Sequence, residues 1–472
     1  MPATRRILDE IFLRVSGAPL VRGNDLRILR NGEENYDAWI RAIRAARRWV
    51  HFETFLIHAD AVGWKFADLL IACARKGVPV RLLCDWVGSV RKTSRRFWRA
   101  LREGGVEVRF FNPPQFVSPL AWLHRDHRKM IGVDGEVAFV TGVCLGRMWA
   151  GDPARGIEPW RDTGVEIRGP AVADIERAFA QMWEAAGGRL PPQEKPAREA
   201  IPEAGRVGLR VIAGSPNTAG LYRLDHFIAA AARNYLWLTD AYFVGTTSYV
   251  QALSTATRDG VDVRLLVPGS SDIPLVRAIS RAMYRPLLEA GVRVFEWGGT
   301  MLHAKTAVAD GYWARVGSTN LNLSSWLGNW ELDVVVEDEE FAAAMEKMYQ
   351  DDLERATEIV LTPRRRLLTS GRKPQRAVRR RRGRMAVGAL GIGSAVSASI
   401  GNLRVLGPAE ARVLAAAGLL LFLLSLIALL WPWLLTVPAA LLGAWIALAL
   451  LRRAWQLHRR TTAEPPSGRD EA

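Results

Sequence analysis

Cysteine is scarce in this chain, because its 472 residues include only Cys73, Cys84 and Cys144. No two of them show the C-x-x-C spacing of a zinc knuckle. Such sparse cysteines exclude a disulfide framework and are typical of a protein that folds in a reducing compartment.

An N-terminal apolar run is also missing. Residues 1–17 carry charges every few positions, so the sequence predicts no secretory signal peptide there.

Acidic residues are fewer than basic ones: the chain has 48 Asp and Glu and 64 Lys and Arg, which gives a formal net charge of +16. This excess favours an anionic partner, either nucleic acid or the anionic face of a membrane.

The long apolar stretches lie near the C-terminal end. Residues 413–431 and 433–451 contain no charged residue, and each stretch matches the roughly 20 residues with which a helix crosses a bilayer. A Trp-Pro-Trp turn joins them, and Arg412 and Arg452 lie at the two ends. The sequence therefore predicts a transmembrane hairpin with both ends in the cytoplasm, and a buried helical hairpin is the alternative.

A dense run of arginines, from Arg364 to Arg384, precedes the predicted hairpin. Arginines beside a membrane segment attract anionic lipid by about 1 kcal/mol each near the surface. A solvated tail and a nucleic-acid arm are the alternatives, but the neighbouring hairpin favours lipid. Residues 385–403 are uncharged and rich in Gly and Ser, which leaves open an interfacial helix, a re-entrant helix or a third crossing.

The residues before 360 repeat one unit twice. Strand-like segments with a GVxVR pattern alternate with helix-like stretches of Ala, Leu and Arg in both halves. Gly77 precedes Gly260 by 183 residues and Gly105 precedes Gly291 by 186, so the spacing is nearly constant. The predicted fold class is α/β, with helices over a mixed sheet. We expect the two halves to pack about a pseudo-twofold axis that brings equivalent residues together.

Each half contains His-x-Lys and then an Asp five residues after the lysine. The two motifs are His127, Lys129 and Asp134 in the first half, and His303, Lys305 and Asp310 in the second. On a strand, the His and Lys side chains share one face. Each Asp precedes a glycine, and Asp-Gly predicts a tight turn that ends the strand. One such motif arises easily by chance, but two at the same place in a repeat favour a functional site.

This pair of motifs suits a phosphodiester substrate. One imidazole can act as nucleophile and the other as acid for the leaving alkoxide, because their pKa values lie near neutrality. Two lysines can hold the non-bridging oxygens of the phosphate. Attack by a histidine gives a phosphohistidine, and the hydroxyl that arrives second decides between hydrolysis and transfer. The chemistry requires no metal and no cofactor.

The twin motif resembles the signature of the phospholipase D superfamily, and the resemblance covers nearly all of residues 25–350. Within it, the chain is similar to short bacterial cardiolipin synthases, of the cardiolipin synthase B-like kind. The stretches that carry this similarity are Asn31-Gly32-Glu33, Glu53-Thr54-Phe55, Leu82-Leu83-Cys84-Asp85, Met301-Leu302-His303 and Gly317-Ser318-Thr319-Asn320-Leu321. The resemblance implies two pseudo-symmetric α/β lobes with the active site at their junction.

The resemblance also implies a role for each candidate residue. His127 is the expected nucleophile and His303 the general acid and later base, and the order of the two is open. The other implied members are Lys129 and Lys305 on the phosphate, Ser318 and Asn320 beside it, Asp162 and Glu331 behind the histidines, and Asp134 and Asp310 as structural members of the motif.

The first half departs from the family pattern at one position. Cys144 stands where the second half has the amide donor Asn320. This difference predicts that the two halves bind the phosphate unequally, or that the acceptor substrate differs from that of the nearest relatives. His124 precedes His127 by three residues and on a strand faces the opposite way. We therefore expect His124 in a loop or at the substrate rim, and not as half of a metal site.

These inferences combine into one prediction of domains and function. The predicted segments are a first lobe (1–189), a linker (190–206), a second lobe (207–360), a basic and partly interfacial segment (361–412), a transmembrane hairpin (413–451) and a polar tail (452–472). The predicted enzyme makes cardiolipin from phosphatidylglycerol at the bacterial cytoplasmic membrane, with its catalytic part in the cytoplasm and no nucleic acid as partner. The alternatives are a hydrolytic phospholipase D or phosphodiesterase, a nuclease, and an inactive membrane scaffold.

Overall fold

A computed structural model describes most of the chain up to residue 361. The described residues are 3–90, 92–114, 124–216, 218–361 and 367–370, together with helical residues scattered between 419 and 452. The chain divides into two compact units, of which the first comprises 1–111 and 124–386 and the second 112–123 and 387–472. The first unit contains every strand named below.

The elements up to residue 185 and those after residue 206 form two similar series. The first series is α1 (Ala3–Ser16), β1 (Val21–Arg30), α2 (Asn31–Ala45), β2 (Val50–Thr54), α3 (Ala61–Arg75), β3 (Val80–Asp85), α4 (Trp86–Val90), α5 (Arg95–Glu103), β4 (Glu107–Phe111), β5 (Met130–Val133), β6 (Val137–Thr141), α6 (Arg147–Ala150), β7 (Thr163–Arg168) and α7 (Val172–Ala185). The second series is β8 (Val207–Gly214), α8 (Gly220–Ala231), β9 (Tyr235–Thr239), α9 (Thr247–Arg258), β10 (Asp262–Pro268), α10 (Pro274–Glu289), β11 (Arg293–Trp297), β12 (Thr306–Ala309), β13 (Trp313–Gly317), β14 (Glu331–Glu337), α11 (Glu339–Leu353), β15 (Ala356–Leu361) and β16 (Leu367–Ser370).

The strands of the described residues form one mixed sheet, in the order β16-β15-β11-β10-β9-β12-β13-β14-β8-β1-β7-β6-β5-β2-β3-β4. Strands β2, β3 and β4 are parallel, as are β9, β10 and β11, and the remaining pairs are antiparallel. The order from β1 outward matches the order from β8 outward. The α/β fold with helices over a mixed sheet is thus confirmed, and the two lobes are related across the antiparallel β1–β8 pair.

Side-chain caps fix where several helices begin. Asp60 accepts hydrogen bonds from the backbone N–H groups of Val62 and Gly63 at the start of α3, at 3.0 and 3.1 Å. Asp338 caps α11 through the N–H of Phe341, at 2.9 Å. Such caps satisfy N–H groups that have no partner inside the helix. They place the helices at defined points after the strands that carry the site.

One apolar core joins the two lobes. It contains Phe179 and Trp183 of α7 and Met345 and Met348 of α11, all at most 3% exposed. Separate apolar clusters lie on the outer sides of each lobe. Because a close-packed interior resists small displacements, the shared core holds the two halves in a fixed relation.

Helix α1 packs on the second lobe, whereas the sequence placed it in the first. The predicted first domain, 1–189, includes α1, yet Phe12 packs edge-on against Phe227 of α8 with ring centroids 5.1 Å apart. Arg210 of β8 donates to Asp9 at 3.0 Å and to the carbonyl of Ala18 at 3.0 Å. Helix α1 therefore packs on the second lobe, because its apolar face and its acid meet complementary groups there.

Both Asp residues of the motifs lie in turns. Asp134 and Asp310 have φ values of 57° and 52°, and the glycines that follow have φ values of 70° and 71°. This left-handed pair is typical of a type I′ hairpin turn. The Asp134 carboxylate accepts the N–H groups of residues 47–49 at 2.7–2.9 Å, and Asp310 does the same for residues 233–235 at 2.8–3.0 Å. Each Asp thus ties a strand entry to a hairpin.

We expect Asp310→Ala to lower stability without changing the chemistry. The substitution removes the acceptor of three backbone N–H groups, so we expect a loss of about 2–4 kcal/mol in the free energy of unfolding. Urea denaturation measures the loss, and activity per folded molecule should stay within about twofold of wild type. Asp259→Ala, at an exposed position of the same lobe, is the matched control. A stable variant with abolished activity would instead make Asp310 catalytic.

A buried ion cluster ties the linker to the first lobe. His51 Nδ1 lies 2.5 Å from Glu176 and its Nε2 lies 2.9 Å from Glu194 of the linker. Arg81 also donates two hydrogen bonds to Glu194, at 2.7 and 2.9 Å. Burial opposes the charge on His51, but the two carboxylates outweigh it and raise its pKa. Each ring nitrogen faces a carboxylate, an arrangement that favours the imidazolium form of His51.

This cluster is expected to make stability depend on pH. The folded pKa of His51 exceeds its unfolded value of about 6.5, so its stabilisation is fully present below that pH and is lost as pH rises through the folded pKa. We expect the urea midpoint to fall as the pH rises above about 6.5, and His51→Gln to flatten that dependence. His226→Gln is the control. Parallel pH profiles for wild type and His51→Gln would contradict this account.

Most of the C-terminal predictions fall outside the described residues. They concern the segment 361–412, the hairpin over 413–451 and the tail 452–472. Of the predicted hairpin, only scattered helical positions are described, among them Leu429 and Leu441, which are 81% and 67% exposed. Within the described residues, no helix is both long enough and apolar enough to cross a membrane.

Candidate active site at the junction of the lobes

The two His-x-Lys segments lie at the junction, each paired with backbone of the opposite lobe. Strands β5 and β12 begin one residue after Lys129 and Lys305, so each motif is the extended entry to its strand. The His127 N–H donates to the carbonyl of Trp330 at 2.9 Å, and the His303 N–H donates to that of Arg161 at 2.7 Å. Trp330 directly precedes Glu331, and Arg161 directly precedes Asp162. Each backbone hydrogen bond therefore brings a histidine close to an acid of the other lobe.

The acids pair with the histidines across the junction. His127 Nδ1 lies 2.9 Å from Glu331 Oε2, and His303 Nδ1 lies 2.7 Å from Asp162 Oδ2. Each Nδ1–H donates to its carboxylate, which fixes the tautomer and leaves Nε2 with its lone pair. Glu331 and Asp162 are fully buried. Both sequence-predicted acids therefore lie within hydrogen-bond distance of a histidine, and each acid comes from the lobe opposite to its histidine.

Further donors hold the two carboxylates. Ser318 Oγ donates to Glu331 at 2.5 Å and accepts the N–H of Leu332 at 2.9 Å. Trp149 Nε1 donates to Asp162 at 3.0 Å. Partners of this kind fix the orientation of a carboxylate and hence of the imidazole in front of it.

The two lysines are buried beside the histidines. Lys129 is 2% exposed and Lys305 1%. Lys129 Nζ donates to the carbonyl of His127, and Lys305 Nζ lies 3.1 Å from His303 Nε2. Burial lowers the pKa of Lys305 to about 8, against the charge of Asp162, and the charge of Lys129 lowers it further. Two cations from different lobes thus act on one small volume, which is a site for an anion.

Burial disfavours the charged form of both histidines. Burial lowers the pKa of His303 to about 4, and Lys305 contributes in the same direction against Asp162. Burial also lowers the pKa of His127, against Glu331, and both motif lysines add to this effect. The pKa of each histidine is thus lowered by the lysine of the other lobe as well as by its own, as expected of two motifs that lie close together. A bound phosphate monoanion would raise both pKa values, since an opposite charge favours the imidazolium.

Asn320 and Cys144 occupy equivalent positions of the two lobes. The Asn320 side chain is buried, and its Oδ1 has no hydrogen-bond partner among the described residues. Cys144 is also buried, and its carbonyl accepts the Tyr36 hydroxyl at 2.6 Å. The second lobe therefore presents an amide where the first presents a thiol.

His124 lies near the second lobe, with Nδ1 2.8 Å from the carbonyl of Gly328.

Sequence reasoning missed the aromatic walls of the site. Phe55 lies edge-on to His127, with ring centroids 5.1 Å apart, and Tyr242 lies edge-on to His303 at 5.8 Å. Trp149 and Trp160 add further contacts to His303, at 5.4 and 5.7 Å. Phe55 and Tyr242 follow the carboxyl ends of the equivalent strands β2 and β9, where α/β folds place their sites. Their position after these strand ends is the sequence signal that could have pointed to them.

A buried acid pair behind the first motif was also missed. Glu53 and Asp126 are fully buried, and neither carboxylate oxygen of Glu53 has a hydrogen-bond partner among the described residues. Burial raises the pKa of Asp126 to about 7 against the charge of Arg128, and burial raises that of Glu53 as well. The charge of Asp126 raises the pKa of Glu53 further, so this pair ionises less readily than exposed carboxyl groups would. Among the described residues, no cluster of three His, Cys, Asp or Glu side chains is placed to hold a metal ion.

Comparison with known proteins agrees with this architecture. The family "Cardiolipin synthase, PLD-like domain" matches residues 39–183 and 225–353, one segment in each lobe. Cardiolipin synthase A of Pseudomonas aeruginosa is 36% identical over 361 residues, which cover 75% of this chain and 72% of that protein. The cardiolipin synthase of a Geobacillus strain is 33% identical over 361 residues, covering 75% and 71%.

A solved structure shows the same fold at low sequence identity. The phosphatidylserine synthase of Haemophilus influenzae is 14% identical, with a TM-score of 0.57 over 75% of this chain and 91% of that one. At this identity the likeness concerns the fold alone. The family match and the two relatives carry the assignment, and the chain belongs to the cardiolipin synthase family with a phospholipase D-like domain.

Proposed function

We propose that this protein is a phosphatidyltransferase that makes cardiolipin from two molecules of phosphatidylglycerol through a phosphohistidine. The observation that supports this most is the crossed pairing of two imidazoles with two buried acids, with a buried lysine beside each imidazole. The family assignment supports cardiolipin as the product.

In the first half-reaction, His127 Nε2 attacks the phosphorus of one phosphatidylglycerol. The bond from phosphorus to the headgroup glycerol oxygen breaks, and His303 gives that oxygen a proton. His303 can hold the proton once the phosphate is bound, because the anion raises its lowered pKa. Lys129 and Lys305 offset the charge that gathers on the non-bridging oxygens, and Asn320 offers a further donor.

In the second half-reaction, the hydroxyl of a second phosphatidylglycerol replaces the glycerol. His303, now neutral, takes the proton of that hydroxyl as its oxygen attacks the phosphorus. The bond from phosphorus to His127 breaks, and cardiolipin forms. Glu331 and Asp162 stabilise whichever ring carries positive charge in each step. Glycerol and cardiolipin are the products, and the enzyme returns to its starting state.

The C-terminal part supports a membrane location. We infer that 413–451 forms a transmembrane hairpin in the bacterial cytoplasmic membrane, with the basic segment before it on anionic lipid. Protease protection of tagged termini in inverted membrane vesicles tests this topology, and both termini should be digested from the cytoplasmic side. Protection of one terminus would contradict the hairpin.

Labelled lipid tests the reaction. The full chain is reconstituted in vesicles whose phosphatidylglycerol carries one label on the headgroup glycerol and another on an acyl chain. We expect labelled cardiolipin and free labelled glycerol in equal amounts, and neither from His127→Ala. Phosphatidic acid without cardiolipin would instead establish the hydrolytic alternative.

A further inference from the structure

A patch of large aliphatic side chains lies exposed beside the site. Ile273, Leu275 and Ile279, at the start of α10, are 43%, 62% and 40% exposed, and Leu323 is 54% exposed. We call these four residues the apolar rim. Leu275 and Ile279 are four residues apart on one helix, so they share a face. Aliphatic side chains that are exposed together mark an interaction surface, whereas a single exposed one needs no explanation.

Hydrogen bonds to Tyr242 join the rim to the catalytic residues. The Tyr242 hydroxyl donates to Asp272 at 2.9 Å, next to Ile273, and the Tyr242 carbonyl accepts from Asn322 at 3.0 Å, next to Leu323. The same ring lies 5.8 Å from the ring of His303 and 5.8 Å from Lys305 Nζ. The two parts of the rim therefore flank the residue that walls the second-lobe histidine.

The charges beside the rim favour an anionic surface. Helix α10 contains Arg277, Arg281 and Arg285 against the single acid Glu289. Arg281 is paired with Glu296 at 2.5 Å, whereas Nε of the half-buried Arg277 has no hydrogen-bond partner among the described residues. An arginine beside exposed aliphatic side chains can meet a lipid phosphate while those side chains enter the acyl layer.

We propose that the apolar rim docks on the surface of a bilayer that contains anionic phospholipid. The inference rests on the proposed function, in which the acyl chains of the substrate must leave the site while its phosphate stays at the histidines. The rim then gives those chains a continuous apolar path, and Arg277 contacts a headgroup phosphate. This contact is separate from any anchor near the C-terminus.

A local probe tests the docking. The three native thiols are buried, so a dye reacts selectively with a cysteine introduced by Leu275→Cys. The full chain is labelled and reconstituted in phosphatidylglycerol vesicles with nitroxides on the acyl chains. We expect strong quenching at this position and little for Thr255→Cys, an exposed site of α9 in the same lobe. Equal quenching at both positions, or none at Leu275→Cys, would overturn the proposal.

Kinetics separate docking from chemistry. We expect the double variant Leu275→Ser/Ile279→Ser to lose about tenfold or more in activity on vesicles, because burial of each aliphatic side chain is strongly favourable. Activity on short-chain phosphatidylglycerol dispersed as monomers should be unchanged. Equal losses on both substrates, or energy transfer between labelled copies without lipid quenching, would count against a lipid partner. If quenching occurs but no cardiolipin forms, the proposed reaction fails and the docking surface stands.

Discussion

Cardiolipin formation should fall at least about 10⁴-fold in His127→Ala, because the variant loses the proposed nucleophile of the covalent route. His303→Ala should be similarly inactive on phosphatidylglycerol, since the glycerol alkoxide then leaves without a proton. The measurement is radiolabelled cardiolipin formed per reconstituted enzyme. His226→Gln, outside the site, should retain full activity. Full activity in either alanine variant would remove the mechanism proposed here.

A substrate with a good leaving group distinguishes the two histidines. p-Nitrophenol leaves without protonation, so His303→Ala should still release one equivalent from a phosphatidyl-p-nitrophenol and accumulate an acid-labile phosphatidyl-enzyme. His127→Ala should release none and form no adduct. The reverse pattern would make His303 the nucleophile and exchange the two roles.

Lys305→Met should lower kcat by about 10²–10³-fold. The buried ammonium is placed to offset the negative charge of the transition state, and loss of one such donor is worth factors of this size. The variant should also raise the pKa of His303 towards its ordinary value, because the charge of Lys305 helps to lower it. Activity against pH and NMR titration of the His303 ring measure the two effects.

Lys65→Met, at an exposed position of α3, is the control for loss of a lysine charge. It should leave both kcat and the titration of His303 unchanged. An unaltered kcat in Lys305→Met would show that the second-lobe lysine does not stabilise the transition state.

The repeat made much of the fold predictable. Its GVxVR segments, at residues 77–81 and 260–264, combine turn glycines with alternating apolar positions, and they lead into the parallel strands β3 and β10. The Asp-Gly pairs ended β5 and β12, as local turn chemistry requires. These features depend on near neighbours, which a sequence displays directly.

Features that depend on distant contacts were beyond sequence reasoning. Asp162 and Glu331 could be named as partners of the histidines, but not which acid serves which ring, because that follows from how the lobes cross. The position of α1 on the second lobe depends on Phe227 and Arg210, some 200 residues away along the chain. The raised pKa values of Glu53 and Asp126 likewise require two segments to meet in space.

The crossing of backbone and acids at the junction also bears on how such an enzyme can arise and decay. Neither half contains a complete pair of histidine and acid, since each imidazole takes its carboxylate from the sister half. A substitution that inactivates one half is therefore not compensated by the intact other half, so selection must preserve both halves. Pairs of chains inactivated in opposite halves should fail to complement one another unless they exchange entire lobes.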